Sequence, residues 1–305
     1  MISKLKKFHE ENLYSNSSGP LSYVLLLTLD LFFFIKYSIK TLIISKHFKD
    51  TKALKDSFKN KNAFVLANGP SLKKIDLEKI KQRQKEFKSK VICVNSFIGK
   101  LNSKLIPDFY VLSDPVYFGL DQELHTEETL KEIKIDLELI EKNNITLFIP
   151  LKFKNKLNIK TNVYYFNDIE LRRFNKNIID ITRPRGYLSM TAYKALSVAC
   201  YLGFKKIYIA GFDNDYFKTI EVDKENRIYY KEEHYIEQGS SGKHLFSSSE
   251  GLKQNQNTQS ENLGKLLLSL SYLFSDLDKF PKNIINLNEE SLIDSFKKED
   301  IFRNS

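Results

Sequence analysis

The chain has 305 residues, of which 42% are apolar, and it carries a formal net charge of +10. This length and apolar content support one large domain or two modest ones, which excludes global disorder. The lysines are dispersed among acidic residues, a pattern that suits an anionic membrane surface or phosphorylated ligands, or else reflects a lysine-rich composition. We expect no nucleic-acid partner. The two cysteines, Cys93 and Cys200, lie in apolar runs, which argues against disulfides and thiolate metal sites and indicates a reducing compartment.

Residues 20–45 form an apolar stretch that Asp30, Lys36 and Lys40 interrupt. A membrane-spanning helix needs about 20 apolar residues with few charges, and the uninterrupted part is shorter. The stretch predicts an amphipathic helix lying in a membrane interface, with packing on the protein body or on another subunit as the alternative. We therefore expect residues 1–50 to be peripheral on the cytoplasmic face of the inner membrane. No cleavage site of a secretory signal follows the stretch.

From residue 51 onwards, short apolar runs alternate with helical patterns. The predicted strands are 63–67, 91–95, 109–113, 145–150, 163–166, 206–210 and 283–287, and the predicted helices are 76–87, 126–142, 189–202 and 260–277. This alternation predicts an α/β fold, namely a Rossmann-like and mainly parallel sheet with helices on both faces. Within this domain, 51–305, the polar segment 218–259 has no clear period and predicts an irregular lid insertion.

The segment from Asn68 to Leu72 follows the first predicted strand and precedes a helix. Gly69 permits close approach of the backbone to a ligand, Pro70 fixes the turn, and Ser71 can cap a helix or bond a phosphate. A first βα turn of this kind is a natural site for a nucleotide phosphate. A tight turn without a ligand is the simpler alternative.

Further polar residues stand at the ends of predicted elements. Asn95 and Asp114 end the second and third strands, and Ser189 and Thr191 begin an alanine-rich helix. Because ligands of open α/β sheets bind outside the carboxyl ends of the strands, Asn95 and Asp114 are predicted to face the same crevice as Asn68. The alternatives are that Asp114, before a proline, is an ordinary turn residue and that the two hydroxyls only cap their helix.

Four motifs in this order resemble glycosyltransferase family 42, the bacterial lipooligosaccharide sialyltransferases. They are the loop 68–72, the strand end at Val94-Asn95, the block 202–213 and the segment His234-Tyr235-Ile236. The loop is also similar to that of flagellin-modifying motility accessory factors and pterin pyrophosphokinase-like proteins. The resemblance covers roughly residues 62–295.

The resemblance implies an inverting glycosyltransferase that moves a CMP-activated sugar, such as sialic acid or a related nonulosonate, without a metal or another cofactor. The acceptor would be a glycan or glycolipid precursor of the cell surface, as in lipopolysaccharide or capsule biosynthesis. By position, the predicted donor-contacting residues are Asn68, Gly69, Pro70, Ser71, Asn95, Asp114, Ser189, Thr191 and Asp213. The sequence departs from the family at two of these places. Asp114 replaces an asparagine, and around residues 189–192 the family's Thr-Ser-Gly segment is not reproduced, with only Thr191 matching its serine.

In that family a histidine is the general base and tyrosines hold the departing phosphate. The family motif has a second histidine that is missing from the segment beginning at His234. His234, His244 and Glu237 are the alternatives for the base, and Tyr216 and Tyr235 are predicted to stabilise the phosphate. Both histidines could instead be exposed loop residues.

Two other functions fit the same features. A pterin pyrophosphokinase-like diphosphotransferase shares the loop but needs a metal ion with the phosphates, and a nucleotide-binding membrane adaptor that has lost catalysis fits the missing histidine. The sequence leaves the formation of a homo-oligomer open.

Overall fold

The computed structural model describes residues 20–95, 97, 105–171, 177–186, 190–214, 216–232, 242–245 and 259–302. Within these ranges, eight strands form one sheet and three form a second, smaller sheet. The strands of the large sheet are β1 (Ala63–Leu66), β2 (Lys90–Val94), β3 (Phe109–Val111), β4 (Thr146–Pro150), β5 (Val163–Phe166), β6 (Ile207–Ala210), β10 (Ile284–Asn286) and β11 (Lys297–Lys298).

The large sheet is parallel throughout, in the order β11-β10-β6-β1-β2-β3-β4-β5. This confirms the predicted α/β class, and all seven predicted strands are present with ends shifted by a few residues. The chain moves outward from β1 to β5 and then returns to place β6 on the other side of β1. The strand order therefore reverses beside β1, where open α/β sheets bind their ligands.

The helices cover both faces of this sheet. They are α1 (Pro20–Ile44), α2 (Lys49–Ala53), α3 (Leu77–Glu86), α4 (Glu127–Lys142), α5 (Thr191–Leu202) and α6 (Gln259–Leu277). Ala63 and Val65 of β1 share a core with α5 and α6, whereas Phe64 and Leu66 share the opposite core with α3 and α4. Because β1 is buried on both faces, its sequence is continuously apolar, as in other parallel sheets.

Helix α1 packs on the body of the protein along one side, where Leu26, Leu29 and Phe33 are buried. Near its end, Asn167 Nδ2 donates to Thr41 Oγ1 at 3.2 Å. The predicted alternative of packing on the body therefore holds for this side. Among the described helices, none is long and apolar enough to cross a membrane.

The segment predicted as an irregular lid contains regular structure, so that prediction was wrong in part. Strands β7 (Glu221–Val222), β8 (Ile228–Glu232) and β9 (Gly242–Leu245) form an antiparallel sheet. The turn between β7 and β8 is closed by Asp223, whose carboxylate accepts hydrogen bonds from Arg227 N at 2.9 Å and Arg227 Nε at 2.7 Å. Asn226 adopts a left-handed φ of 57° in this turn, so an asparagine stands where glycine is usual in a hairpin turn.

Candidate functional site

The loops after β1 and β6 touch each other through two glycines. Gly69 N donates to Gly211 O at 3.0 Å. A Cβ on Gly69 would lie 2.1 Å from Asp213 Oδ2 and 2.4 Å from Gly211 O, and Gly211 itself has a left-handed φ of 73°. Gly69 therefore makes a close backbone approach to the protein's own β6 loop, and its predicted contact with a ligand stays a prediction.

Asp213 braces this pair of loops. Its buried carboxylate accepts from Ser71 N at 3.0 Å and from Asn288 Nδ2, in the loop after β10, at 2.7 Å. These contacts help to fix the position of the β1 loop, and the predicted contact of Asp213 with a donor molecule stays a prediction.

The segment predicted to hold a phosphate forms a short 3-10 helix, Pro70–Lys74, with Pro70 at its start as expected. Asn68 is half-buried directly before it. Ser71 does not cap this helix through its side chain, and its buried Oγ has no hydrogen-bond partner among the described residues. A hydroxyl buried in this way is a candidate donor or acceptor for a ligand.

A cleft of about 480 Å³ adjoins the β1 loop. It lies among the loops that follow β1, β10 and β11, and it mixes apolar and charged side chains. Its lining residues are Ser71, Lys74, Ile75, Asp76, Lys79, Leu287, Asn288, Glu289, Glu290, Asp300 and Phe302. The ion pair of Lys74 and Glu290, with an N–O distance of 2.5 Å, crosses between the β1 and β10 loops.

On the other side of the β1 loop, three polar residues from separate elements meet at the start of α5. Asn95 Nδ2 donates to Thr191 Oγ1 at 3.1 Å, and Thr191 Oγ1 lies 2.6 Å from Ser113 Oγ. Asn95 has a left-handed φ of 40°, a conformation that asparagine tolerates better than most residues, and its carbonyl accepts from the Tyr110 hydroxyl. The structure thus brings the predicted residues Asn95 and Thr191 together.

This hydroxyl pair connects to a buried ion pair. Lys194 Nζ donates to Ser113 Oγ at 3.3 Å and lies 3.0 Å from Asp168 Oδ1, and both side chains are less than 10% exposed. The half-exposed Lys152 contacts the other oxygen of Asp168 at 2.7 Å. Burial lowers the pKa of Lys194, although the nearby Asp168 carboxylate opposes this shift.

A third cation, Arg185, lies fully buried near the same carboxylate. Its Nη2 donates to Asn167 O at 3.0 Å, whereas Nε and Nη1 have no hydrogen-bond partner within the described part of the chain. Burial lowers the pKa of Arg185 to about 10, and the charges of Asp168 and Asp180 oppose the shift. Among the described residues, the three cations Lys194, Lys152 and Arg185 thus outnumber the two carboxylates Asp168 and Asp180, an arrangement that suits an anionic ligand.

The two hydroxyls of this network have one hydrogen more than they can use between them. Lys194 and Asn95 each donate into the pair formed by Ser113 and Thr191. Only one of the two hydroxyl hydrogens can lie between the two oxygens, 2.6 Å apart. The other hydroxyl hydrogen has no acceptor among the described residues, so it is available to an oxygen atom of a ligand.

The remaining predicted residues are less informative. Asp114 accepts from Val116 N at 3.3 Å and caps the 3-10 helix Pro115–Phe118, as a turn residue would. Ser189, His234, Tyr235 and Glu237 lie outside the described residues. Tyr216 begins the 3-10 helix Tyr216–Thr219 and His244 lies in β9, but only their backbones are described. Their catalytic roles stay predictions.

Five residues of this network were not predicted from the sequence, namely Ser113, Asp168, Lys194, Lys152 and Arg185. Asp168 could have been found by the rule that singled out Asn95, because it follows a predicted strand in the same way. Lys194 is the one charged residue of α5, a helix that is otherwise small and apolar, and this was also a usable signal. The contact between Lys194 and Asp168 was not visible, since it depends on the path of the chain across the sheet.

One comparison with known proteins identifies a family. A family model described as 6-hydroxymethylpterin diphosphokinase MptE-like matches residues 40–219, from the end of α1 to the loop after β6. No curated protein matches the chain. The match supports the predicted relation to pterin pyrophosphokinase-like proteins, not the sialyltransferase assignment. It includes the β1 loop and the network around Lys194. Because the match covers more than half of the sequence, the chain belongs to the MptE-like family, whose description is that of a transferase.

Proposed function

We propose that the protein is a diphosphotransferase that binds a nucleoside triphosphate along the carboxyl edge of the sheet. The acceptor would be a heterocyclic alcohol of the pterin type, in keeping with the description of the family. In this reaction the acceptor hydroxyl oxygen attacks the β-phosphorus, the bond between that phosphorus and the α,β-bridging oxygen breaks, and the nucleoside monophosphate leaves. The proton of the acceptor passes to a base that the described residues do not identify.

The observation that carries this proposal is the network around Lys194. It offers one spare hydroxyl hydrogen at the start of α5, backed by three cations and the two carboxylates of Asp168 and Asp180. Phosphate oxygens carry negative charge and accept hydrogen bonds, so they match both features. The start of α5 adds the partial positive charge of a 12-residue helix. Magnesium would arrive with the triphosphate as part of that substrate.

The cleft beside Ser71 is the proposed place for the acceptor. It combines the aromatic ring of Phe302 with carboxylates such as Glu290, which suit a flat ring that carries N–H donors. The braced β1 loop separates this cleft from the network around Lys194. In this arrangement the two substrates would approach each other from the two sides of Gly69 and Pro70.

Transfer of a sugar from a CMP donor is the second candidate function. It is favoured by one specific observation, namely that Asn95 and Thr191, which the sialyltransferase resemblance assigns to the donor, are hydrogen-bonded to each other. Both candidates place a phosphate at the same edge of the sheet. They differ in the nucleotide, in the need for magnesium and in which group is transferred.

The test is a thermal-unfolding titration with ATP, GTP, CMP, CDP and UDP, each with and without magnesium. A ligand that binds only the folded state stabilises it by about 2.7 kcal/mol at 100 times its Kd. We expect a triphosphate with magnesium to raise the Tm and to be converted to the monophosphate once a hydroxymethyl pterin is added. Stabilisation by CMP alone, with turnover of a CMP-sugar, would instead establish the second candidate. Binding without any turnover would indicate an adaptor.

The variant Thr191→Val connects the titration to the site. It removes a hydroxyl from the network, and we expect the affinity for nucleotide to fall about tenfold, as for one lost hydrogen bond to a charged group. Thr161→Val is the matched control, because Thr161 lies before β5 and its hydroxyl donates to Ile145 O before β4, at the amino ends of these strands and so away from the network. Equal nucleotide affinity in both variants would reject the network as the phosphate site.

A further inference from the structure

The outward side of α1 is an apolar stripe. Eight large apolar side chains between Val24 and Ile43 are at least 46% exposed, and Leu42 and Ile43 exceed two thirds. At 3.6 residues per turn they occupy roughly 120° of the circumference and extend for about 30 Å. The stripe consists of Val24, Leu25, Leu31, Phe32, Ile35, Ile39, Leu42 and Ile43. An exposed apolar surface of this extent marks an interaction site.

The solvent-exposed charges on this helix are all positive. From Pro20 to Phe48 the charged residues are Asp30, Lys36, Lys40 and Lys46. Asp30 is buried, and all three lysines are exposed. On the helical circumference, Lys36 and Lys40 stand next to one border of the stripe. Apolar residues flanked by lysines, with no exposed carboxylate between them, complement an anionic lipid surface.

The inner side of α1 holds the helix in a fixed position on the body. Thr41 is bonded to Asn167, and Thr51 Oγ1, beyond the helix, donates to Tyr165 O at 2.8 Å. Both contacts are made at the carboxyl end of β5. Asn167 directly precedes Asp168 of the ionic network, so the helix is anchored at the same edge of the sheet as the candidate site.

We propose that this stripe is a docking surface for an anionic membrane, with α1 lying flat in the interface and the lysines contacting headgroups. The charge pattern decides for lipid over a second copy of the chain, because two copies meeting through this face would bring their lysines together. The bound orientation holds the carboxyl edge of β5 close to the membrane surface. This inference does not depend on the proposed reaction.

The experiment is cosedimentation of the full chain with vesicles of phosphatidylcholine alone or mixed with phosphatidylglycerol. We expect partitioning into the mixed vesicles that weakens as salt is added. The double variant Ile39→Glu/Leu42→Glu should reduce the partition coefficient at least about tenfold, because it removes two inserted side chains and adds two charges. Lys36→Gln/Lys40→Gln should reduce only the preference for phosphatidylglycerol.

Ile135→Glu is the matched control, since Ile135 is 49% exposed on α4 and lies outside the stripe. It should bind vesicles like the wild type. Circular dichroism and urea denaturation verify that the variants are folded. Failure of the wild type to bind mixed vesicles, or equal binding by Ile39→Glu/Leu42→Glu, overturns the proposal. A dimer in light scattering that the same double variant converts to a monomer, without vesicle binding, would assign the stripe to self-association instead.

Discussion

Replacing Gly69 by alanine tests whether the β1 and β6 loops are packed as described. Gly69 has an ordinary extended backbone, with φ of −66° and ψ of 153°, so alanine is not strained there by its own conformation. The cost is steric, because the new methyl group would lie 2.1 Å from Asp213 Oδ2 and 2.4 Å from Gly211 O. Carbon and oxygen atoms normally stay more than about 3 Å apart, so the loops must separate.

The separation has two consequences that add up. Overpacking of a tight contact costs about 1–3 kcal/mol. Weakening the hydrogen bonds from Gly69 N to Gly211 O and from Ser71 N to Asp213 adds about 1 kcal/mol. We therefore expect Gly69→Ala to lower the free energy of unfolding by about 2–4 kcal/mol, measured by urea denaturation, and to weaken nucleotide binding as well.

Gly264→Ala is the control, and it should change the free energy of unfolding in the opposite direction. Gly264 lies inside α6, where an added Cβ would meet nothing within 4 Å. Alanine there should raise the free energy of unfolding by about 0.5–1 kcal/mol through its higher helix propensity. If Gly69→Ala unfolds at the wild-type urea concentration, the two loops do not touch. If it is destabilised but binds nucleotide normally, the β1 loop is not part of the phosphate site.

Three further substitutions probe buried polar groups. Lys194→Met leaves the half-exposed Lys152 as the one ion-pair partner of Asp168 within the described ranges and should cost about 3 kcal/mol in urea denaturation; a neutral effect would contradict the buried ion pair. Asp213→Ala leaves Ser71 N and the Asn288 amide without their acceptor and should cost about 2–4 kcal/mol, together with nucleotide binding in the thermal titration. Burial raises the pKa of Tyr201 from 10.0 to about 12. The unfolded chain therefore loses this proton first, stability falls as the pH rises from 10 to 12, and Tyr201→Phe should make the fall less steep.

Most of the large sheet could be predicted because its strands are buried on both faces. Strands such as β1 and β6 are runs of consecutive apolar residues, and this makes them visible in a sequence. The strand β11 was missed because it consists of two exposed lysines at the sheet edge, which no hydrophobic pattern reveals. The hairpin of β7 and β8 was missed because its turn has Asn226 in the left-handed conformation and no glycine.

Single residues of the candidate site could be predicted from the ends of strands and the start of a helix, but the contacts between these residues could not. The rule that polar residues follow parallel strands found Asn95, and the start of a small-residue helix found Thr191. That these two touch depends on α5 crossing back over the sheet. The close backbone approach at Gly69 could be predicted, but its contact with Gly211 could not, because Gly211 stands 142 residues later in the chain and only the strand order makes them neighbours.

The crossing of α5 explains why one helix start collects so many polar groups. To connect β5 with β6, α5 must pass over β1, β2 and β3, and it packs on all three. Its first turn therefore stands above the ends of β2 and β3, which supply Asn95 and Ser113. Lys194 lies three residues after Thr191, on the same side of the helix, and reaches the end of β5. The crossover that connects β5 to β6 thus also assembles the network. A change that shifts α5 should therefore impair stability and nucleotide binding together.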